Sequence, residues 1–301
     1  MRVLVTGATG FVGPWLIEEL MSGGHDVVPS PGSSKLDVTD ALAIHRFIES
    51  VRPDAIAHLA GISHAADASR DPARALAVNE GGTAAVMRAA AERRPRVIVF
   101  VSGSSEVYGQ PIPADLPLNE SAPLRAEQPY GRSKLAQERI ALEIGSTSRV
   151  PVVVTRSFNH TGPGQRPQFV APALAQRVLE AKRTGRTEVA VGSLDVRRDI
   201  GDVRDFARGY RMLIEGLASG RVPTGSVVNV ATGTAVTIRR VLELIARIVG
   251  VEVQPRVEAS LLRTDDPPIV VGDPAKLVRL TGWKPAIPLE QTLRDLVAAG
   301  D

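Results

Sequence analysis

The chain is predicted to fold as an α/β protein: a doubly wound parallel sheet followed by a smaller C-terminal α/β unit. Three observations predict this. Short β-branched runs alternate with longer helical patterns through the first half, as expected of parallel strands joined by crossover helices. A glycine-rich turn stands directly after the first of these runs. Beyond about residue 157 the alternation loosens and breakers accumulate, which marks a differently built second unit.

Taken in order, "RVLVTG" (2–7) reads as the first strand, 11–23 as the helix after it, and "HDVVPS" (25–30) as a short second strand. "DAIAHLAG" (54–61), "RVIVFVS" (96–102) and "VPVVVTR" (150–156) are apolar almost throughout, as strands covered on both faces must be. Between them, 40–50, 72–93 and 130–145 are helical by spacing and by their Ala, Leu, Glu and Arg content. Further on, "FNHTGPGQRP" reads as a loop of breakers, 169–184 as a helix and "TEVAVG" (187–192) as a short strand. Amphipathic helices follow at 202–217 and 237–250, with short ones near 274–281 and 289–299.

Composition removes several classes of function. A length of 301 residues suffices for one large core or two fused ones. No apolar run approaches the roughly 18–20 residues that span a bilayer, and the strand-like start leaves no room for a signal peptide. A cytoplasmic protein without a membrane partner is expected. Cysteine is absent, so there is no disulfide, thiolate metal site or thiol nucleophile, and no metal is expected. The formal charge of +3 comes from arginines scattered among acids, with no basic run interleaved with aromatics. That pattern argues against a nucleic-acid partner and suits an anionic small substrate such as a nucleotide sugar.

"VTGATGFVG" places Gly7, Gly10 and Gly13 between the first strand and its helix, with Phe11 and Val12 among them. Glycines there allow a tight turn and let backbone N–H groups approach a pyrophosphate at the positive end of the helix. The spacing is G-x-x-G-x-x-G. The acid that usually ends the second strand and holds the adenosine ribose is missing. "VVPSPGSSKLDVTD" offers Ser30, Ser33, Ser34 and Lys35 instead. A lysine with hydroxyls would suit a 2′-phosphate, which tilts the expectation from NAD(H) towards NADP(H), although Lys35 also reads as a solvated loop residue. Asp37 is placed to meet an adenine from the next strand, or to serve as an acid at a helix start.

Tyr130 and Lys134 stand at i and i+4 on one helical face, so their side chains can meet. A free tyrosine ionises near pH ~10, and a nearby ammonium would favour the phenolate. Tyr130 could then exchange a proton with a carbonyl–alcohol pair beside a nicotinamide. Ser104, at the end of a buried strand, would add a hydrogen bond to the same oxygen.

With these residues in view, the sequence resembles the extended short-chain dehydrogenase/reductases that act on nucleotide sugars. The resemblance runs the whole length, through "TGATGFVG", "LDVTD", "IAHLAG", "VNEGGT", "SSEVYG", "PYGRSK", "RSFNHTGPGQ", "RRDIGDVRDFARGY" and the closing "VVGDPAKLVRLTGWKPAIPLEQTLRDL". It implies a Rossmann domain over 1–160 that also receives parts of about 194–232. A substrate-binding domain would take 161–193 and 233–301. It implies that Tyr130 is the catalytic tyrosine, that Lys134 holds the nicotinamide ribose, and that Ser104 is the family's serine or threonine. The cofactor would also meet Gly7, Gly10, Phe11, Val12 and Gly13, then Ser30, Lys35, Asp37 and Val38, then Leu59, Ala60 and Gly61. Asn79 matches a position that supports the active-site backbone at the cofactor. His58 lies on the strand passing the diphosphate, and also reads as a satisfied core histidine.

"FNHTGPGQ", "QFV" and "RDPARALAVN" most resemble the branch that reduces the carbon-4 ketone of GDP-4-keto-6-deoxy-D-mannose to GDP-D-rhamnose or its C4 epimer. The resemblance sets Ser104 and Ser105 near the sugar, Asn159 against the diphosphate, and Arg198 and Arg263 on its phosphates. Either arginine could instead pair with Asp199 or Asp265. Glu106 argues the other way, because Ser104-x-Glu106 matches the dehydratases, which need a base beside the sugar. A GDP-mannose 4,6-dehydratase, a nucleotide-sugar 4-epimerase and a non-catalytic cofactor-binding scaffold therefore stand as alternatives. A homodimer through helices 72–93 and 130–145 is also implied by the resemblance.

Overall fold

A computed structural model describes residues 1–93, 96–262 and 266–300. Its main sheet has six parallel strands: β1 (Arg2–Thr6), β2 (Asp26–Pro29), β3 (Ala55–His58), β4 (Ile98–Ser102), β5 (Val152–Ser157) and, much later in the chain, β9 (Ser226–Val230). They lie in the order β2-β1-β3-β4-β5-β9. Alternation along each strand divides the core into two layers. Val3, Val5, Ala57, Phe100 and Val153 face α1 (Gly13–Ser22) and α8 (Val203–Ala218), where Leu16, Leu20, Phe206 and Tyr210 pack. Leu4, Ile56, Val99, Val101 and Val154 face the other way. There they meet Ile44 and Ile48 of α2 (Ala41–Val51), Val86 and Met87 of α5 (Gly82–Glu92), and Ala141 and Ile144 of α6 (Pro129–Thr147). The strand order reverses between β1 and β3, and an open sheet of this kind forms its crevice beyond the carboxyl ends at that point.

The rest of the chain is built around β8 (Arg197–Asp202). It pairs with β6 (Asn159–Thr161) and β12 (Ile269–Val270) in parallel and with β10 (Ala235–Thr237) antiparallel. A separate pair joins β7 (Glu188–Val191) to β11 (Gln254–Val257). Helices α7 (Val170–Thr184), α9 (Ile238–Val249) and α11 (Leu289–Gly300) close a third core through Leu174, Val178, Val241, Ile245, Leu293 and Leu296. Trp283, just after α10 (Ala275–Thr281), is buried against α8 and donates its indole N–H to the Asp205 carbonyl at 2.8 Å.

Three sequence expectations change. The loop of breakers after Phe158 contains β6, whose three residues are recruited by pairing with Ile200–Asp202. The single helix expected over 72–93 is three pieces. They are α4 (Pro72–Leu76), a π-helical turn (Ala77–Gly81) and α5, preceded by the short α3 (Ala65–Arg70). Strands β8, β9, β10, β11 and β12 were not anticipated. No helix among the described residues is long and apolar enough to cross a membrane, and no group of metal-ligating side chains forms among them.

Candidate active site

A cavity of about 1300 Å³ opens at the carboxyl ends of β1 and β3 and extends towards β6, α7 and β8. The glycine loop forms its floor. Gly7 has φ +70°, and a Cβ there would lie 2.6 Å from the Ala60 backbone nitrogen, so the turn presses against the exit of β3. A Cβ on Gly13, the first residue of α1, would lie 2.2 Å from the Ala8 carbonyl oxygen. Gly10 donates its N–H to the Gly7 carbonyl at 2.9 Å. The start of α1 has no side-chain cap, so its first N–H groups remain available to an anion. This cradle fits a dinucleotide pyrophosphate.

Phe11, Val12, Ser30, Asp37, Val38, Leu59, Ala60 and Gly61 all line the cavity. Asp37 accepts from the Thr39 backbone N–H at 2.9 Å and the Thr39 hydroxyl at 2.8 Å, and these bonds hold its carboxyl below the ordinary range. Val38 packs beside Gly82, where a Cβ would lie 2.7 Å from its Cγ2. Lys35 is exposed and stands outside the lining, whereas Arg74, 3.9 Å from Asp37, lines it.

At the end of β4 the chain turns through Gly103, where a Cβ would lie 2.1 Å from the Thr155 carbonyl oxygen. Ser104 then caps the 3₁₀ turn Ser105–Tyr108, its hydroxyl accepting from the Glu106 N–H at 3.2 Å. Gly131 lets α6 approach this turn, since a Cβ there would lie 2.6 Å from the Glu106 carbonyl oxygen. The result is a hydrogen bond between Ser104 and the Tyr130 hydroxyl, with Glu106 beside them and all three lining the cavity. Ser105 is buried in the same turn and does not line the cavity.

The Tyr130 phenol and the Lys134 ammonium are each governed here by other neighbours. Burial raises the pKa of the Tyr130 phenol; the Ser104 hydrogen bond opposes this and the Glu106 charge adds to it, so the group is held protonated. Lys134 donates instead to the Ser102 carbonyl at 2.8 Å and to Gln137 Oε1 at 2.6 Å, and burial pulls its pKa down to about 7.

Asn79, in the π-helical turn, stays behind the cavity wall. It accepts from Ile62 N–H at 2.8 Å and donates to Ile62 O at 3.1 Å and Ser133 Oγ at 2.9 Å, bracing the exit of β3 against α6. His58 is fully buried between the hydroxyls of Thr6 (2.8 Å) and Thr83 (3.0 Å). Burial pushes its pKa down to about 3, which makes it a neutral core residue.

Across the cavity, Asn159 and Arg198 line the wall. Arg198 pairs with Asp266 and not with Asp199, whose carboxylate accepts from Thr232, Gly233 and Gly272. Arg263 and Asp265 lie outside the described residues. Sequence reasoning missed His160, packed between Phe11 and Phe206, and the lining side chains Arg166, Phe169 and Arg177. "GQRP" and "QFV" held two of these, but no spacing rule marks them.

A doubly wound sheet with this cradle and a Ser–Tyr–Lys set at its carboxyl edge defines an extended short-chain dehydrogenase/reductase. The chain belongs to the NAD dependent epimerase/dehydratase family, whose pattern matches residues 3–231. It is 36% identical to the GDP-6-deoxy-D-mannose reductase of Pseudomonas aeruginosa over 99% of this chain and 96% of that protein. It is 26% identical to the GDP-6-deoxy-D-talose 4-dehydrogenase of Aggregatibacter actinomycetemcomitans over 94% and 92%. The solved structure of RMD from Pseudomonas aeruginosa complexed with NADPH superposes with a TM-score of 0.89 at 34% identity, covering 99% of this chain and 98% of that one.

Proposed function

We propose that this protein reduces the carbon-4 ketone of GDP-4-keto-6-deoxy-D-mannose with NAD(P)H, yielding GDP-D-rhamnose or its C4 epimer. The observation that carries the chemistry is the meeting of Ser104, Tyr130 and Lys134 in one wall of the cavity, beside the glycine loop. The full-length similarity to a GDP-6-deoxy-D-mannose reductase supports the substrate. Gly7, Gly10 and Gly13 would hold the dinucleotide, which when bound would supply the hydride. Tyr130 donates its proton to the ketone oxygen as that oxygen gains charge, and Ser104 stabilises the same charge by hydrogen bonding. Lys134, when protonated, offsets the phenolate left on Tyr130 and has a third N–H free for the nicotinamide ribose.

NADP(H) is favoured over NAD(H) by the absence of an acid at the end of β2, and by the NADPH in the RMD structure. Residues 1–160 with parts of 194–232 serve the cofactor, and 161–193 with 233–301 serve the nucleotide sugar. Asn159 and Arg198 meet the diphosphate, for which Arg198 must exchange Asp266. The protein acts in the cytoplasm as a homodimer joined through α4, α5 and α6.

Glu106 beside Tyr130 favours one second reading, a GDP-mannose 4,6-dehydratase with Glu106 as the base that removes the C5 proton. Purified protein mixed with GDP-4-keto-6-deoxy-D-mannose and NADPH should consume the reduced nicotinamide, followed by its near-ultraviolet absorbance. Absence of consumption rejects the reductase, and conversion of GDP-mannose without added reductant establishes the dehydratase.

A further inference from the structure

A chain of buried hydrogen bonds runs from the active-site lysine into the core. Lys134 donates to Gln137 Oε1 at 2.6 Å, Gln137 Nε2 donates to Thr83 Oγ1 at 3.0 Å, Thr83 meets His58 Nε2 at 3.0 Å, and His58 Nδ1 meets Thr6 Oγ1 at 2.8 Å. Gln137 is 1% exposed, and Thr83 and His58 are fully buried. We propose that Gln137 is the positioning residue for Lys134, holding its ammonium between the Ser102 carbonyl and its own amide oxygen, and that Thr83 and His58 hold Gln137 in turn. This rests on Lys134 being the cation that serves Tyr130.

The donor inventory fixes the direction of the links from Lys134 through Gln137 to Thr83. An ammonium only donates, so the amide must present its oxygen to Lys134 and its nitrogen to Thr83. A flipped amide would set N–H against N–H. Thr83 can donate or accept and could not prevent that flip alone, but its place is set by His58. Residues 134 and 137 are three apart on α6, so backbone geometry already brings them together.

The ammonium has little else to hold it. Burial is what lowers its pKa, and among the described residues no carboxylate compensates. Tyr130 stands one turn before it on α6, and His58 faces it from β3. Glu106 from the 3₁₀ turn acts on Tyr130, and Arg156 of β5 is locked to Glu138 at 2.6 Å. The π-helical turn and α5 bring neutral Asn79 and Thr83. On α3 and α4, Asp67 pairs with Arg70 and Arg74 approaches Asp37. Two neutral acceptors, Ser102 O and Gln137 Oε1, therefore carry the buried charge, and loss of one should disfavour it. Nζ stays beside the cofactor cleft, 3.9 Å from where a Cβ on Gly61 would stand.

The test is a carbon-13 NMR titration of the lysine ε-carbons in dinucleotide-free protein. With only five lysines in the chain, the Lys134 signal is assignable from a Lys134→Arg variant. In the wild type its midpoint should lie near the depressed value of about 7. Gln137→Met, which keeps the length and removes the acceptor, should move it down. Gln137→Glu, which sets an anion beside it, should move it up. In turnover assays, Gln137→Met should lose about ten- to a hundredfold in kcat with little change in the KM for nucleotide sugar, and Gln137→Glu should recover much of that loss. A midpoint common to all three proteins overturns the proposal, even if both variants melt earlier. Failure of the wild type to reduce the ketone would reject the reductase reading and leave the titration standing.

Discussion

The surroundings of Tyr130 reinforce the protonated form that a phenol already has at neutral pH: burial raises its pKa, the Ser104 hydrogen bond opposes this, and the Glu106 charge adds to it. A donor held this way suits the direction of chemistry in which a ketone oxygen takes up a proton. Tyr130→Phe should therefore lower kcat by about 10²–10⁴-fold while NADPH affinity, measured by fluorescence titration, stays near wild type. Near-normal turnover in that variant would remove Tyr130 from the mechanism. The residue types and spacing were legible in the sequence, because Y-x-x-x-K on a helix needs only local geometry. What Lys134 touches was not legible. Its partners come from the end of β4 and from Gln137, whose own orientation depends on Thr83 of α5, and no local spacing encodes such contacts. For the same reason the partner of Arg198 was not legible: it was expected on the substrate phosphates, with a neighbouring aspartate such as Asp199 as the alternative, and it pairs with Asp266.

Elements with a strong period or an apolar run were readable: β1, β3, β4, β5, α2, α6, α8 and α9 all fall within a few residues of their expected places. Those that depend on a partner were not. "NHT" becomes β6 only because β8 lies beside it, and β8 itself carries two arginines and two aspartates in six residues. Contacts between elements also set the steepest costs. Arg156 of β5 and Glu138 of α6 form a buried bidentate pair at 2.6 and 2.9 Å, and Arg156 also donates to Tyr108 Oη and Glu120 O. Glu138→Gln leaves the guanidinium without its counter-charge and should cost about 3–5 kcal/mol, measured by urea unfolding. At the junction of β1 and α1, Gly13→Ala forces a methyl against the Ala8 carbonyl. About 1–3 kcal/mol of destabilisation is expected, together with weaker NADPH binding by calorimetry. A wild-type affinity in Gly13→Ala would show that the loop can open without loss.

Across the whole molecule, stability should depend on acidity through His58. Its folded pKa is depressed to about 3 from an ordinary value of 6.5, so between those limits the unfolded chain binds the extra proton. The stabilisation is then fully present above about pH 6.5 and is lost as pH falls towards 3, at about 1.4 kcal/mol per pH unit. Urea unfolding at a series of pH values should show this slope, and a His58→Asn variant should lack it. The fold class was legible at this scale, since alternation and the glycine turn sufficed, but the late return of the chain to the main sheet was not. Strand β9 pairs with β5 some seventy residues after it, and α8 packs against α1. The first half of the gene product is thus an unfinished object. A polypeptide ending at residue 160 would leave β5 as a bare edge, with its hydrogen-bonding groups open to other chains. During synthesis that edge stays unpaired until residues beyond Val230 have left the ribosome, an interval in which it stands open to a chaperone or a neighbouring nascent chain.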